Sequence, residues 1–289
     1  MGYFDIKFVS CRSPIGDHKM FYKEWGDPKN MNIIVCVHGL TRVSDDFDNL
    51  AKSLSGKFRV ICPDVVGRGR SSHLNNSQLY SIPQYISDIF TLIRELNTEE
   101  IYWFGTSMGA LIGMNMAAMP ESPIKKIIMN DAGPELNYEG LIRIRDYVGK
   151  KNYFKNFNEG LNHIKEIHSS FGIHTDEEWI KIAGDVLKKD KNDNWIFNYD
   201  PAIREIFSVI DKNTMKIGEI AMWAIYDSIN CPILVVRGSN SDVLTSNAAK
   251  KMVEFKSFAK LVELEGIGHA PTFYHLDQIN IAKKFFLEL

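Results

Sequence analysis

A serine between two glycines gives the first indication of chemistry in this sequence. Residues 105–109 read GTSMG, the pattern Gly-x-Ser-x-Gly that holds a serine on a sharp turn between a strand and a helix. Residues 101–104 suit a buried strand, and the Ala- and Met-rich run after the turn suits a helix ending before Pro120. Ser107 is therefore a candidate nucleophile at a helix N-terminus, where free N–H groups favour a developing oxyanion.

A serine becomes an effective nucleophile only when a base takes its proton and a third group orients that base. His269 is the candidate base, because it lies in a glycine-flanked loop directly after the predicted strand at residues 259–264. Asp242, in the loop after the preceding predicted strand, is the preferred acid. Asp131 ends an earlier predicted strand and is the rival acid, since it could reach the histidine from a neighbouring strand.

An oxyanion formed on the substrate needs two N–H donors. We expect them to be the backbone groups of Met108, after the serine, and Leu40, in the loop HGLTR at residues 38–42. His38 is expected to orient that loop through its ring nitrogens. A second glycine-bearing loop, residues 64–71, lacks the Lys-Ser/Thr of a phosphate-binding loop and the third glycine of a dinucleotide site. We predict neither a cofactor nor a metal.

The elements that must position these residues are strands alternating with helices. From residue 32 onward this alternation predicts a parallel sheet with helices on both faces. The exception is the stretch 134–221, which is charged, rich in helix formers and scattered with aromatics. We interpret it as a helical cap inserted between core segments 1–133 and 222–289; the alternative is extra helices that pack away from any site. Strands are expected at residues 3–10, 19–25, 32–37, 58–62, 101–104, 124–130, 232–237 and 259–264.

The composition limits the compartment and the partners. The chain has 289 residues and a net charge of −2, which argues against nucleic acid or an anionic membrane as an obligatory partner. The four cysteines have no C-x-x-C spacing, so we expect buried free thiols and a reducing compartment. The first ten residues resemble neither a signal peptide nor a transmembrane span. We expect a cytoplasmic monomer or homodimer without stable membrane anchoring that acts on a small molecule.

Taken together, the motifs resemble those of the α/β-hydrolase superfamily, in its cap-bearing esterase and ring-fission-product hydrolase branch. The resemblance covers nearly the whole chain and the motifs stand in the family's order: HGL at His38, DxxGxGxS at Asp64, GTSMG at Ser107, SD at Asp242 and GHAP at His269. It implies the α/β-hydrolase fold, with a mostly parallel eight-stranded sheet. It also implies a lid between the sixth and seventh strands, where residues 134–221 lie.

Departures from related branches narrow the activity. A serine nucleophile argues against the haloalkane dehalogenases and epoxide hydrolases, which use Asp. The HGLTR loop differs from the HGGG loop of many lipases, so long-chain lipid is disfavoured. Thr106 stands where carbon–carbon bond hydrolases typically have Asn.

The sequence thus predicts a carboxylesterase-like serine hydrolase that cleaves a small-to-medium ester, or a related acyl substrate, through an acyl-enzyme. The alternatives are a carbon–carbon bond hydrolase, a cofactor-free perhydrolase, or a ligand-binding protein with little turnover. Arg42, beside the oxyanion loop, is a candidate contact for a substrate carboxylate. Trp223 and Tyr226, near the second cap boundary, are candidate pocket residues.

Overall fold

Short apolar runs in the sequence form one central sheet. The structure is a computed structural model that describes residues 4–150 and 153–288. The run from Ile33 to Val37 is buried at every position, as expected of a parallel strand covered on both faces. In chain order the strands are β1 (Phe4–Ser13), β2 (Gly16–Trp25), β3 (Ile33–Val37), β4 (Arg59–Pro63), β5 (Ile101–Thr106), β6 (Ile124–Asn130), β7 (Leu187–Lys189), β8 (Trp195–Phe197), β9 (Ile233–Gly238) and β10 (Ala259–Leu264).

Eight of these strands form the central sheet in the order β1-β2-β4-β3-β5-β6-β9-β10. The hairpin β1–β2 is antiparallel, and β2 also pairs antiparallel with β4, whereas the later pairs are parallel. This confirms the predicted fold class. The hairpin is longer than predicted, with only Pro14 and Ile15 between its strands. The predicted start of the first strand at Tyr3 lies outside the described residues.

Helices cover both faces of the sheet. They are α1 (Asp48–Leu54), α2 (Ile82–Glu95), α3 (Met108–Ala117), α4 (Tyr138–Tyr147), α5 (Phe157–Ile167), α6 (Asp176–Val186), α7 (Lys212–Asp227), α8 (Ser246–Phe255) and α9 (Leu276–Leu287). Short 3-10 helices lie at Ser44–Phe47, Ser77–Leu79, Ser169–Phe171 and Pro201–Phe207. Apolar residues of α2, α3 and α8 pack in the core on one face, and those of α1 and α9 pack on the other. Within the described chain, no helix combines the length and the apolar character needed to cross a bilayer.

The segment between β6 and β9 contains α4 to α7 and also a small antiparallel sheet of β7 and β8. This sheet was not predicted, because two three-residue strands are too short to show a periodic pattern. The predicted boundary after residue 221 falls inside α7. The division into core segments and a cap stays a prediction.

Two glycines set the turn that carries Ser107. The serine has a φ of 51°, so the chain reverses sharply between β5 and α3. A Cβ on Gly105 would lie 2.2 Å from the Gly109 carbonyl oxygen, and one on Gly109 would lie 2.0 Å from the Val37 carbonyl oxygen. Both approaches are far inside van der Waals contact. The start of α3 can therefore press against β3 and β5 only while these positions lack side chains.

We predict that Gly109→Ala destabilises the protein by about 1–3 kcal/mol, because its methyl group must displace the backbone of β3. The measurement is the free energy of unfolding in urea. Gly184→Ala is the matched control: Gly184 lies in α6, and apart from its chain neighbours and the backbone of its own helix no atom of the described residues lies within 4 Å of the place that the added methyl group would occupy. There alanine should stabilise by roughly 0.5–1 kcal/mol through helix propensity. Equal effects of the two substitutions would contradict this account of the turn.

Candidate active site

Ser107, His269 and Asp131 form one hydrogen-bonded chain at the carboxyl edge of the sheet. His269 Nε2 lies 2.9 Å from Ser107 Oγ, and its Nδ1 lies 2.7 Å from Asp131 Oδ2. An ionised carboxylate can only accept, so Nδ1 donates to Asp131 and the neutral ring offers Nε2 to the serine proton. The geometry matches that of a serine nucleophile, a general base and a group that orients the base.

The turn at the end of β6 positions Asp131 beside His269. It is fully buried and has a φ of 58°, a left-handed conformation that Asp adopts more readily than most residues. Its Oδ2 accepts a hydrogen bond of 2.6 Å from Ser241 Oγ, and its Oδ1 accepts one of 3.2 Å from the Gly238 N–H. Because these donors fix the carboxylate, the orientation of the His269 ring is fixed with it.

The structure does not bring Asp242 to His269, contrary to the prediction from sequence. The Asp242 carboxylate instead meets Arg143 of α4, with contacts of 2.5 and 2.8 Å. Burial alone would raise the pKa of Asp242, but the hydrogen bonds and charge of Arg143 hold that pKa below its ordinary value. Asp242 therefore joins the β9 loop to a helix of the predicted cap.

Asp131, rather than Asp242, reaches His269 because of the path of the loop after β10. A Cβ on Gly238, at the end of β9, would lie 2.4 Å from the carbonyl oxygens of both Ile267 and Gly268. The loop thus crosses directly over the end of β9 and delivers His269 towards β6. Asn240 donates its N–H to the Ile267 carbonyl at 2.9 Å and holds this crossing. Chain order alone did not show it.

The loop of the predicted oxyanion donor Leu40 is held by buried polar side chains. His38 is fully buried; its Nδ1 bonds the Gly39 carbonyl at 2.7 Å and its Nε2 accepts from the Val65 N–H at 3.0 Å. His38 therefore orients the loop, as expected. The assignment of the Leu40 and Met108 N–H groups as oxyanion donors stays a prediction.

Arg68 was not singled out from the sequence, yet it contacts both predicted oxyanion residues. It is fully buried, donates from Nε to the Leu40 carbonyl at 2.8 Å, and places Nη2 3.5 Å from Met108 Sδ. Its Nη1 donates to the Val66 carbonyl and to the Tyr85 hydroxyl. Among the described residues no carboxylate forms an ion pair with it. A buried guanidinium thus contacts both residues that are predicted to supply the oxyanion donors.

Ser107 and His269 open into a pocket with two kinds of wall. The segment between β6 and β9 supplies an apolar and aromatic wall, which includes Ile144, Tyr147, His168, Phe171 and Ile182. The His168 ring stacks on Phe171 at 4.4 Å, and burial, with the charge of Arg42 nearby, lowers its pKa well below the ordinary value. His168 is therefore a neutral part of this wall. A charged end of the pocket includes Arg42, Asp46, Lys181 and Asp185.

Arg42 lies in this pocket, as the sequence suggested. Its Nε and Nη2 bond the two oxygens of Asp46 at 2.8 and 2.6 Å. The residue is only 7% exposed, and within the described structure its Nη1 has no hydrogen-bond partner. An unsatisfied buried donor is costly, so a substrate oxygen placed there would gain a hydrogen bond.

Trp223 and Tyr226 lie elsewhere, and neither is among the described residues that line the pocket. Tyr226 is buried and donates its hydroxyl to the Met252 carbonyl at 3.0 Å. Trp223 packs edge-on against Tyr226 and close to Phe255 of α8. Their prediction as pocket residues is wrong, because the inner side of α7 faces α8 at this point.

Comparison with known proteins agrees with this fold. A family model described as the alpha/beta hydrolase fold matches residues 32–276. The chain therefore belongs to the α/β-hydrolase family, and it is a hydrolase. Over 284 residues it is 45% identical to the 3-hydroxybutyrate-oligomer hydrolase of Cupriavidus necator, with 97% of each chain covered.

Solved structures extend the similarity to the whole fold. An α/β hydrolase from Novosphingobium aromaticivorans gives a TM-score of 0.87 at 29% identity, with 99% of both chains covered. A solved structure from Rickettsia typhi gives a TM-score of 0.87 at 31% identity, with 98% of both chains covered. These likenesses confirm the resemblance to the superfamily.

We predict that Asp131→Asn lowers kcat/KM for a chromogenic acyl ester by about 10⁴-fold, because an amide in place of the carboxylate favours the wrong histidine tautomer. Asp242→Asn is the matched control, with the same chemical change one strand away. It breaks only a half-exposed ion pair and should change kcat/KM by less than about fivefold. A large loss in Asp242→Asn with little loss in Asp131→Asn would reverse the assignment.

We also predict a loss of stability in mild acid that depends on His38. Burial lowers the pKa of His38 from 6.5 to about 4, although Asp64 nearby acts in the opposite direction. Between these values the unfolded chain takes up a proton that the folded chain refuses, so stability falls as the pH drops. The contribution is about 2 kcal/mol between pH 7 and pH 5.

Urea unfolding at these two pH values tests this, with wild type compared to His38→Gln. The glutamine amide offers one donor and one acceptor, as the neutral ring does, but does not titrate. The variant should therefore lose that part of the pH dependence. Identical pH dependences would show that His38 is not the group responsible.

Proposed function

We propose that the protein hydrolyses short carboxylic esters, specifically oligoesters of hydroxy acids, through an acyl-enzyme on Ser107. The observation that carries the proposal is the hydrogen-bonded chain from Ser107 through His269 to Asp131, with Ser107 and His269 lining a pocket. The extensive identity to a 3-hydroxybutyrate-oligomer hydrolase supports the substrate class.

The proposed reaction has two halves, formation of the acyl-enzyme and its hydrolysis, and Ser107, His269 and Asp131 act in both. Ser107 Oγ attacks the ester carbonyl carbon while its proton passes to His269 Nε2, and Asp131 stabilises the resulting imidazolium. The Leu40 and Met108 N–H groups hold the oxyanion. Collapse of the intermediate expels the alcohol, which takes the proton from His269. Water then gives a proton to His269 and attacks the acyl-enzyme. Collapse of this second intermediate releases the acid and returns the proton from His269 to Ser107 Oγ.

The position of Arg42 supports the proposal that the substrate is an oligoester with a free terminal carboxylate. Each unit of a hydroxy-acid oligomer repeats an ester, and the last unit carries a carboxylate. Asp46 neutralises much of the charge of Arg42, so the free Nη1 offers mainly a directed hydrogen bond. We propose that this donor binds a carboxylate oxygen of the substrate.

A cytoplasmic location is part of the same proposal. All four cysteines, Cys11, Cys36, Cys62 and Cys231, are free and buried. Burial raises the pKa of the Cys11 thiol to about 12 and that of Cys231 to about 11, so both remain unreactive thiols. Such a set suits a reducing compartment.

The first test is the intact mass of the protein after reaction with a fluorophosphonate probe. Wild type should gain one adduct, and Ser107→Ala, folded by circular dichroism, should gain none and lose at least about 10⁴-fold in turnover. No adduct on folded wild type would favour the ligand-binding alternative. An adduct without cleavage of any ester would turn the search to carbon–carbon bonds or perhydrolysis.

The second part of the test concerns the substrate. A trimer of 3-hydroxybutyrate is compared with its methyl ester, which lacks the terminal carboxylate. Arg42→Gln should raise KM for the free acid by about 10- to 100-fold, the value of a hydrogen bond to a charged group. It should leave the methyl ester nearly unchanged. Equal effects on the two substrates would show that Arg42 does not bind the carboxylate.

A further inference from the structure

Two histidines and a glutamate meet where α6 lies against the start of α9. His174 precedes α6, Glu178 lies in its first turn, and His275 directly precedes α9. One ligand atom from each lies within 4.8 Å of the other two. The Glu178 carboxylate is the centre of the group: Oε2 is 3.2 Å from His174 Nδ1, and Oε1 is 3.0 Å from His275 Nε2.

The surroundings hold these side chains in place. The Thr175 N–H donates to Glu178 Oε2 at 2.9 Å, as part of the capping box that begins α6. The His174 side chain is 1% exposed and packs edge-on against Trp179 and Tyr274. His275 is more open, with 37% of its side chain exposed. The group is thus rigid on one side and open to solvent on the other.

The donor set suits a transition-metal ion. Two imidazole nitrogens and one glutamate oxygen, with further positions left to water, form a ligand set that binds zinc in proteins. Ligands about 2.0–2.1 Å from a tetrahedral ion are about 3.3 Å from one another. Two separations come close to this value, each to a different oxygen of Glu178: 3.0 Å from Oε1 to His275 Nε2 and 3.2 Å from Oε2 to His174 Nδ1.

We propose that His174, Glu178 and His275 bind a divalent transition-metal ion such as Zn²⁺, and that the bound ion restrains the entrance of the catalytic pocket. Tyr274, next to His275, lines that pocket, and so do Lys181 and Ile182 of α6. The ion would join α6 to the segment that leads from His269 into α9. Substrate entry and product release would then become slower.

The metal-binding part of the proposal stands apart from the proposed esterase activity, whereas its effect on turnover rests on that activity. It also departs from the prediction, made from the sequence, that no metal binds. His174 and Glu178 are four residues apart, but His275 lies about a hundred residues away, so spacing could not reveal the third ligand.

To test the site, the chelator-treated protein is titrated with Zn²⁺ in a calorimeter, and the heat of binding is measured. Wild type should bind one equivalent, and His275→Gln and Glu178→Gln should each bind at least tenfold more weakly. His73→Gln is the matched control, because His73 also lies beside a carboxylate, Asp200, at 3.6 Å. It should bind as wild type does. Equal binding by wild type and His275→Gln would mean that the three residues form only a hydrogen-bonded network and would overturn the site.

Turnover of a small ester at saturating Zn²⁺ tests the restraint. Wild type should slow severalfold and recover on addition of chelator, while His275→Gln, active without metal, should be insensitive. Inhibition that persists in His275→Gln would place the inhibiting ion elsewhere, for example on His269, and would overturn the restraint. Full activity of the zinc-loaded wild type would overturn it as well. Calorimetry measures Zn²⁺ binding without any turnover. If the protein proved to have no esterase activity, the binding result would therefore still stand.

Discussion

The crossing of the β10 loop over the end of β9 is the contact on which the site depends. It requires Gly238, whose missing side chain leaves room for the carbonyls of Ile267 and Gly268. Asn130 fastens the far side of the loop by donating to the Pro271 carbonyl at 2.8 Å. With both ends held, His269 lies between the serine that follows β5 and the aspartate that follows β6, which are adjacent strands. Three distant parts of the chain thus meet within hydrogen-bond distance.

The floor of the site is made of polar groups that are buried but satisfied. His38, Asp64 and Arg68 are all fully buried, which would be costly without hydrogen-bond partners. His38 and Arg68 hold the Leu40 loop, and Asp64 accepts from the N–H groups of Ser44 and Arg70. Such a network gives the loop one arrangement rather than several. A preorganised loop is what stabilisation of a developing oxyanion requires.

The pocket combines this rigid floor with walls from the segment between β6 and β9. Arg42 stands at the junction: its guanidinium is paired with Asp46 and also approaches the Ile182 carbonyl of α6 and the ring of Phe171. Asp242 and Arg143 make a second junction between the β9 loop and α4. The His174, Glu178 and His275 group makes a third, between α6 and α9. Three polar contacts thus join the segment between β6 and β9 to the rest of the described structure.

The sequence by itself determined the order of strands and helices, the turn at Ser107 and the identity of His269. These features depend on local patterns: apolar runs, glycines at fixed spacing, and a histidine directly after a strand. It favoured Asp242 as the acid beside the histidine, with Asp131 as the rival. Only the tertiary structure places Asp131 there, because the choice depends on how the loop after β10 crosses β9. Arg68, the short strands β7 and β8 and the packing of Trp223 and Tyr226 away from the pocket were likewise decided by contacts between distant segments. Such contacts depend on which faces of the helices, strands and loops meet in the folded chain. The spacing of residues within one stretch of sequence does not determine that.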